Sequence, residues 1–146
     1  MSSFTTTALV RPSLRSGLIA TAIGLAGVLA TAQASAESAL PAWKTSGELQ
    51  YSCGGIGVDE STAMRAAMKD YPLALLFAAK NGDYLADVKV DIASGGKNMQ
   101  MTASGPVCLL KLPAGDYTVK ATAEGGATQS EKVQVGKGAK TLDFRF

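Results

Sequence analysis

The chain has 146 residues, a formal net charge of +2 and no histidine. The length allows one modest core, and near-neutrality excludes the basic footprint that nucleic acid or an anionic membrane selects. The missing histidine removes the commonest general base and metal ligand together.

In chain order, residues 1–36 read as an export signal. Arg11 and Arg15 form a basic region, Leu18 to Ala30 is an apolar run, and Ala34-Ser35-Ala36 is a small-residue cleavage site. The run is short and rich in Gly and Ala, which suits a Sec-type signal peptide cleaved after Ala36; an uncleaved N-terminal anchor is the alternative. The expected location is the periplasm, or outside the cell, with no membrane span after cleavage. The 110 residues that follow carry 12 basic and 12 acidic side chains and are neutral as a whole.

Residues 37–46 read as an irregular lead-in holding Pro41 and Trp43, followed by one domain over 47–146. Gly47 to Cys53 alternates, with Leu49, Tyr51 and Cys53 on one side and Glu48, Gln50 and Ser52 on the other. Gly54-Gly55-Ile56-Gly57 is a flexible turn. Asp59 to Asp70 has helix-favouring Ala and Met, with Asp59 placed to cap the first amides and Pro72 to stop it. Leu73 to Ala79 is an apolar run of strand length, buried on both faces or covered by that helix. Asn81-Gly82-Asp83 signals a turn.

Tyr84 to Ser94 reads as the next strand, with Val88, Val90 and Ile92 inward and Asp87, Lys89 and Asp91 outward. Gly95-Gly96 predicts a hairpin to Asn98–Ala103, where Met99 and Met101 share a face. Val107 to Leu112 leads into Leu112-Pro113-Ala114-Gly115. Pro113 presets a turn φ, Gly115 supplies a positive one, and Tyr117 is placed to anchor its hydroxyl in the corner. Tyr117, Val119 and Ala121 then alternate with polar neighbours. Glu124-Gly125-Gly126 makes another hairpin. Val133 and Val135 line one face of Thr128–Val135, and Lys140–Phe146 turns Leu142, Phe144 and Phe146 inward. Seven or eight short strands at this spacing predict an all-β sandwich with one short helix.

Cys53 and Cys108 are the only cysteines. In an oxidising compartment two cysteines pair, closing a loop of more than fifty residues. A redox-active pair would need a close spacing or an activating histidine; two free buried thiols are the other reading. No metal site and no cofactor are expected. Asp87 and Asp91 would stand roughly 13 Å apart along a strand, with Lys89 between them, which is a solvated face rather than a catalytic pair. Asp59-Glu60 suits a helix start. Gly54, Gly55 and Gly57 before a helix lack the Lys-Ser/Thr of a phosphate loop, which leaves a strand-to-helix turn or a backbone contact for a partner. Trp43, Tyr71 and Tyr84 lie at element ends, free to stack on a sugar or a peptide.

The run Gly105, Leu112-Pro113-Ala114-Gly115, Tyr117, Val119, Ala121, Gly125, together with Leu85–Ile92, resembles the carboxypeptidase regulatory-like domain, a transthyretin-like (prealbumin-like) Greek-key sandwich. With the Gly54–Glu60 segment and the terminal Phe144-Arg145-Phe146, the resemblance extends to small exported proteobacterial proteins of that type and covers the chain after the signal. With no histidine and no carboxylate cleft, no catalytic residue is expected and the protein is not expected to be an enzyme. The expected function is a periplasmic binding module for an envelope protein or glycan. The alternatives are a structural or stress-related envelope protein acting by weak self-association through strand edges, and, least favoured, a small hydrolase.

Overall fold

A computed structural model describes residues 40–146, so the expected signal peptide lies outside the described residues. Nine strands and one α-helix follow in the order β1 (Lys44–Ser46), β2 (Leu49–Gly54), α1 (Val58–Ala67), β3 (Leu73–Ala78), β4 (Val88–Ser94), β5 (Lys97–Ala103), β6 (Val107–Lys111), β7 (Gly115–Thr122), β8 (Thr128–Val135) and β9 (Lys140–Arg145). They form a five-stranded sheet, β1-β2-β6-β3-β9, and a four-stranded sheet, β5-β4-β7-β8. Every pairing is antiparallel except β3 with β9. The protein is a β-sandwich with one short helix, as the strand spacing predicts.

The core between the sheets follows the period-2 pattern. Val88, Val90 and Ile92 of β4, Met99 and Met101 of β5, and Tyr117, Val119 and Ala121 of β7 are buried. They meet Leu49, Leu73, Leu75, Phe77 and Phe144 from the facing sheet. Phe77 and Phe144 are partners in the parallel β3–β9 pair and stack at 5.7 Å. Leu142 and Phe146 are half-buried against the same core.

The five-stranded sheet is covered on its other face as well. Met64 of α1 is fully buried with Ala74, Val107 and Leu109, and Leu40, Trp43, Ala67, Met68 and Tyr71 close around them. This second layer is why β3 shows no alternation. It also buries Ser52, on the side opposite Leu49; its hydroxyl donates to the Pro41 carbonyl at 2.8 Å.

The lead-in is not irregular throughout. β1 pairs with β2, Lys44 opposite Tyr51, and β1 is too short to alternate visibly. Tyr84 does not open β4: it makes only an isolated bridge to Ala78, and β4 begins at Val88 after Asp87 takes φ 55°. Asp87 therefore leaves the outward row that Lys89 and Asp91 keep. The helix ends at Ala67 and runs on as a 3₁₀ turn over Met68–Asp70. Its N-cap is Gly57, so Asp59 sits inside the first turn and caps nothing.

Both glycine hairpins form. Ser94 faces Lys97 across Gly95 (φ 56°) and Gly96 (φ 82°), the left-handed pair a two-residue hairpin requires. The Leu112–Gly115 corner instead carries the chain from one sheet to the other. Tyr117 donates its hydroxyl to the Pro113 carbonyl at 2.7 Å, as expected of a corner tyrosine. Gly115 does not supply the positive φ: it opens β7 with strand geometry, and an added Cβ would only touch the Tyr117 ring at 3.7 Å. Cys53 and Cys108 are direct partners across β2 and β6, 4.1 Å apart at Cα, and they are bridged.

Candidate functional site around the helix

The six residues singled out for contact, Trp43, Gly54, Gly55, Gly57, Tyr71 and Tyr84, all belong to the helix side of the five-stranded sheet or its rim. They fall into two groups at opposite ends. Gly54 faces Val107, which faces Leu76 near the end of β3; Gln50 faces Lys111 at the other end, roughly 14 Å along β2.

At the first end, the glycine turn is a built structure. The Glu60 carboxylate accepts the Gly55 amide at 2.6 Å, a charge-assisted bond from the first turn of α1 back to the loop. Gly55 has φ 91°, and an added Cβ would lie 3.0 Å from the Val107 side chain. Gly54 has no room either, with Pro41 2.7 Å from an added Cβ. Gly57 is different: nothing lies within 4 Å of its added Cβ. The loop is thus pinned by its glycines, and its backbone amide at Gly55 is already spoken for.

What the loop presents is apolar. Ile56 is 75% exposed and Val58 83% exposed, and Tyr84 is 62% exposed; these are the large hydrophobics left in solvent among the described residues. Val58, Ser61 and Arg65 share a helix face that spans about 10 Å. The Arg65 guanidinium lies 5.3 Å from the Tyr84 ring centroid, joining the far end of that face to the β3–β4 loop. The Tyr84 bridge to Ala78, two residues past Leu76, puts Tyr84 at the same end of the sheet as Gly54.

At the other end, Trp43 and Tyr71 are not free to stack on a ligand. Their rings meet at 5.1 Å, both are half-buried, and Lys111 places its ammonium 4.1 Å from the Trp43 centroid. This cluster fastens the lead-in and the end of the helix layer to β6.

Sequence reasoning singled out Tyr84 and the glycines and passed over Ile56, Val58 and Arg65. The signal was available: Ile56 and Val58 lie inside and just after a glycine turn, off the Met64–Met68 face that must point inward. Among the described residues no three His, Cys, Asp or Glu side chains converge as a metal cluster, and no helix is long and apolar enough to cross a membrane. No protein-family model matches the sequence, and no curated protein matches it.

Proposed function

We propose that this protein is a non-catalytic binding module of the periplasm, and that it recognises a partner protein through the surface formed by Ile56, Val58, Arg65 and Tyr84. The observation that carries this reading is the exposure of three large apolar side chains, while the other large apolar groups among the described residues are covered or half-covered. Burying each would contribute about 1.5–3 kcal/mol, so their exposure has a cost in solubility that a partner would offset. Tyr and Arg are the side chains that most often anchor protein contacts. The platform is stiff: Glu60 holds Gly55, and the Cys53–Cys108 bridge stands one residue before the turn. The sandwich architecture accords with the resemblance to carboxypeptidase regulatory-like domains, whose role beside catalytic partners is itself non-catalytic.

The alternative, assembly through strand edges, is disfavoured by how the edges are closed. Ser46 donates to the Gln100 carbonyl at 2.8 Å and Lys97 pairs with Glu48 at 2.6 Å, joining β1–β2 to β5. On the other flank Gln129 of β8 donates to the Arg145 carbonyl of β9. Glu131, opposite Val119, places a charge on the inward parity of edge strand β8, a device that blocks edge pairing.

The test is recovery of partners from intact cells with an affinity-tagged chain, beside an Ile56→Asp, Val58→Asp variant. Wild type is expected to retain a specific protein that the variant loses while keeping its melting temperature. Equal recovery by both would contradict the reading. Gly55 is unsuited to this test, because its positive φ and its contact with Val107 make any substitution disruptive.

A further inference from the structure

We infer that the outer face of the four-stranded sheet carries a second site, which takes a neutral, hydroxyl-rich oligosaccharide seated over Ala93. The site lies on β4, β5 and β7, on the opposite side of the sandwich from α1, and does not depend on the protein-binding surface.

The groove exists because of one small residue. Ala93 is paired with Asn98 on β5 and with Thr118 on β7, so its methyl forms the floor between two longer side chains. Gly95 and Gly96 leave the hairpin end open. In the next row Asp91 is paired with Gln100 and with Lys120. The resulting depression has a volume of 760 Å³ and is lined by Asp91, Ala93, Asn98, Asp116, Thr118 and Lys120, with Lys97 at its rim. The depression is shallow and open to solvent, so a ligand would lie along the sheet rather than be enclosed.

The lining selects the ligand by exclusion. It holds no aromatic ring and no large aliphatic side chain, so an apolar ligand gains little burial. Both signs of charge are present on this face, the carboxylates of Asp91 and Asp116 with the ammonium of Lys120, while the Lys97 ammonium is taken by Glu48; a charged ligand of either sign meets its like.

What remains is a ligand whose groups both donate and accept. Hydroxyls do so: they can donate to Asp91 and Asp116 and accept from Lys120, Asn98 and Thr118. The acceptors are presented, not dispersed. Gln100 donates to Asp91 Oδ1 at 2.8 Å and fixes that carboxylate. Strand spacing near 4.8 Å, with same-face residues roughly 7 Å apart along a strand, distributes these groups on the scale of one sugar ring. The Ala93 methyl can take the ring's C–H face.

The experiment is an amide-resolved NMR titration of the isotope-labelled chain to about 10 mM with four probes. Two are neutral, maltotetraose and the tetramer of N-acetylglucosamine. Two are charged, tetragalacturonate and the glucosamine tetramer. The expected result is saturable shifts confined to residues around Asp91–Asn98 and Asp116–Lys120 with at least one neutral probe, and binding of both charged probes weaker by about fivefold or more.

Ala93→Trp, which fills the floor from an exposed position, should weaken neutral binding by about tenfold and leave partner recovery unchanged. Should that variant not fold, Asp91→Asn with Lys120→Gln is expected to weaken it by about threefold to tenfold. No saturable shift with either neutral probe, tighter binding of a charged probe, or unchanged affinity in the folded variants overturns the proposal. Loss of partner recovery in Ile56→Asp, Val58→Asp with sugar binding intact would separate the two sites.

Discussion

At the scale of single residues, the corner tyrosine and the crowded glycines carry the sharpest expectations. Tyr117→Phe removes the hydroxyl bond to Pro113 and should lower stability by about 1 kcal/mol. Burial raises the Tyr117 pKa above its ordinary value of 10.0. The neutral phenol is favoured in the folded state, so its stabilisation is complete below the unfolded value and lost as pH rises through the folded one. Denaturant titrations at about pH 8 and about pH 11 should show a steeper alkaline loss in wild type than in Tyr117→Phe. An equal loss in both would contradict the burial account. A further alkaline component belongs to Lys97, whose pKa is raised chiefly by its hydrogen bond to Glu48, and both proteins keep it. A Cβ at Gly105 would lie 2.8 Å from Gly54 Cα and closer still to its carbonyl. Gly105→Ala should therefore cost about 1–3 kcal/mol by overpacking, whereas Gly57→Ala meets nothing; melting curves of the pair decide it. Tyr117 was readable from its place after Pro113 because a hydroxyl two residues into a strand can reach back to the corner. The φ of Gly115 was not, since a change of sheet and a tight turn share the same Leu-Pro-Ala-Gly letters.

The elements were legible where one face met the core and the other met water. β4, β5 and β7 alternate cleanly, and their inward residues are the buried ones. Legibility failed where a second layer intervened. Ser52 is polar at a site the lead-in covers, and Trp43 and Tyr71 close that layer, facts no local period can express. It failed again at Tyr84, whose strand-like composition is overridden by the turn at Asp87. The disulfide joins β2 to β6 within the five-stranded sheet, on the face that meets the sandwich core. Its 55-residue separation makes its removal in Cys53→Ala, Cys108→Ala worth about 4 kcal/mol on the chain-entropy model. Because Gly54 follows Cys53, the same variant should loosen the glycine turn, read as faster hydrogen exchange at Gly55 and Ile56. A change in global stability with no local change at the turn would deny the bridge its role as a foundation for the recognition surface.

At the scale of the whole molecule, the proposed function requires that the strand edges stay inert while the surface around Val58 is offered to a partner. Wild type should keep a concentration-independent monomer mass. Replacing the guards in Gln129→Val, Glu131→Val should make the mass rise with concentration by pairing along β8. Concentration-dependent association of wild type would favour assembly instead. Composition and the missing histidine bear on the function class, but the proposed recognition surface is one that only the fold assembles from Ile56, Val58, Arg65 and Tyr84. The most direct measurement is photo-cross-linking in living cells, with a photoreactive side chain at Val58 in one protein and at Lys132 on the outer face of β8 in another. A discrete cross-linked protein is expected from position 58 and none of the same mass from position 132. Identical products from both positions, or only self-cross-links, would contradict it.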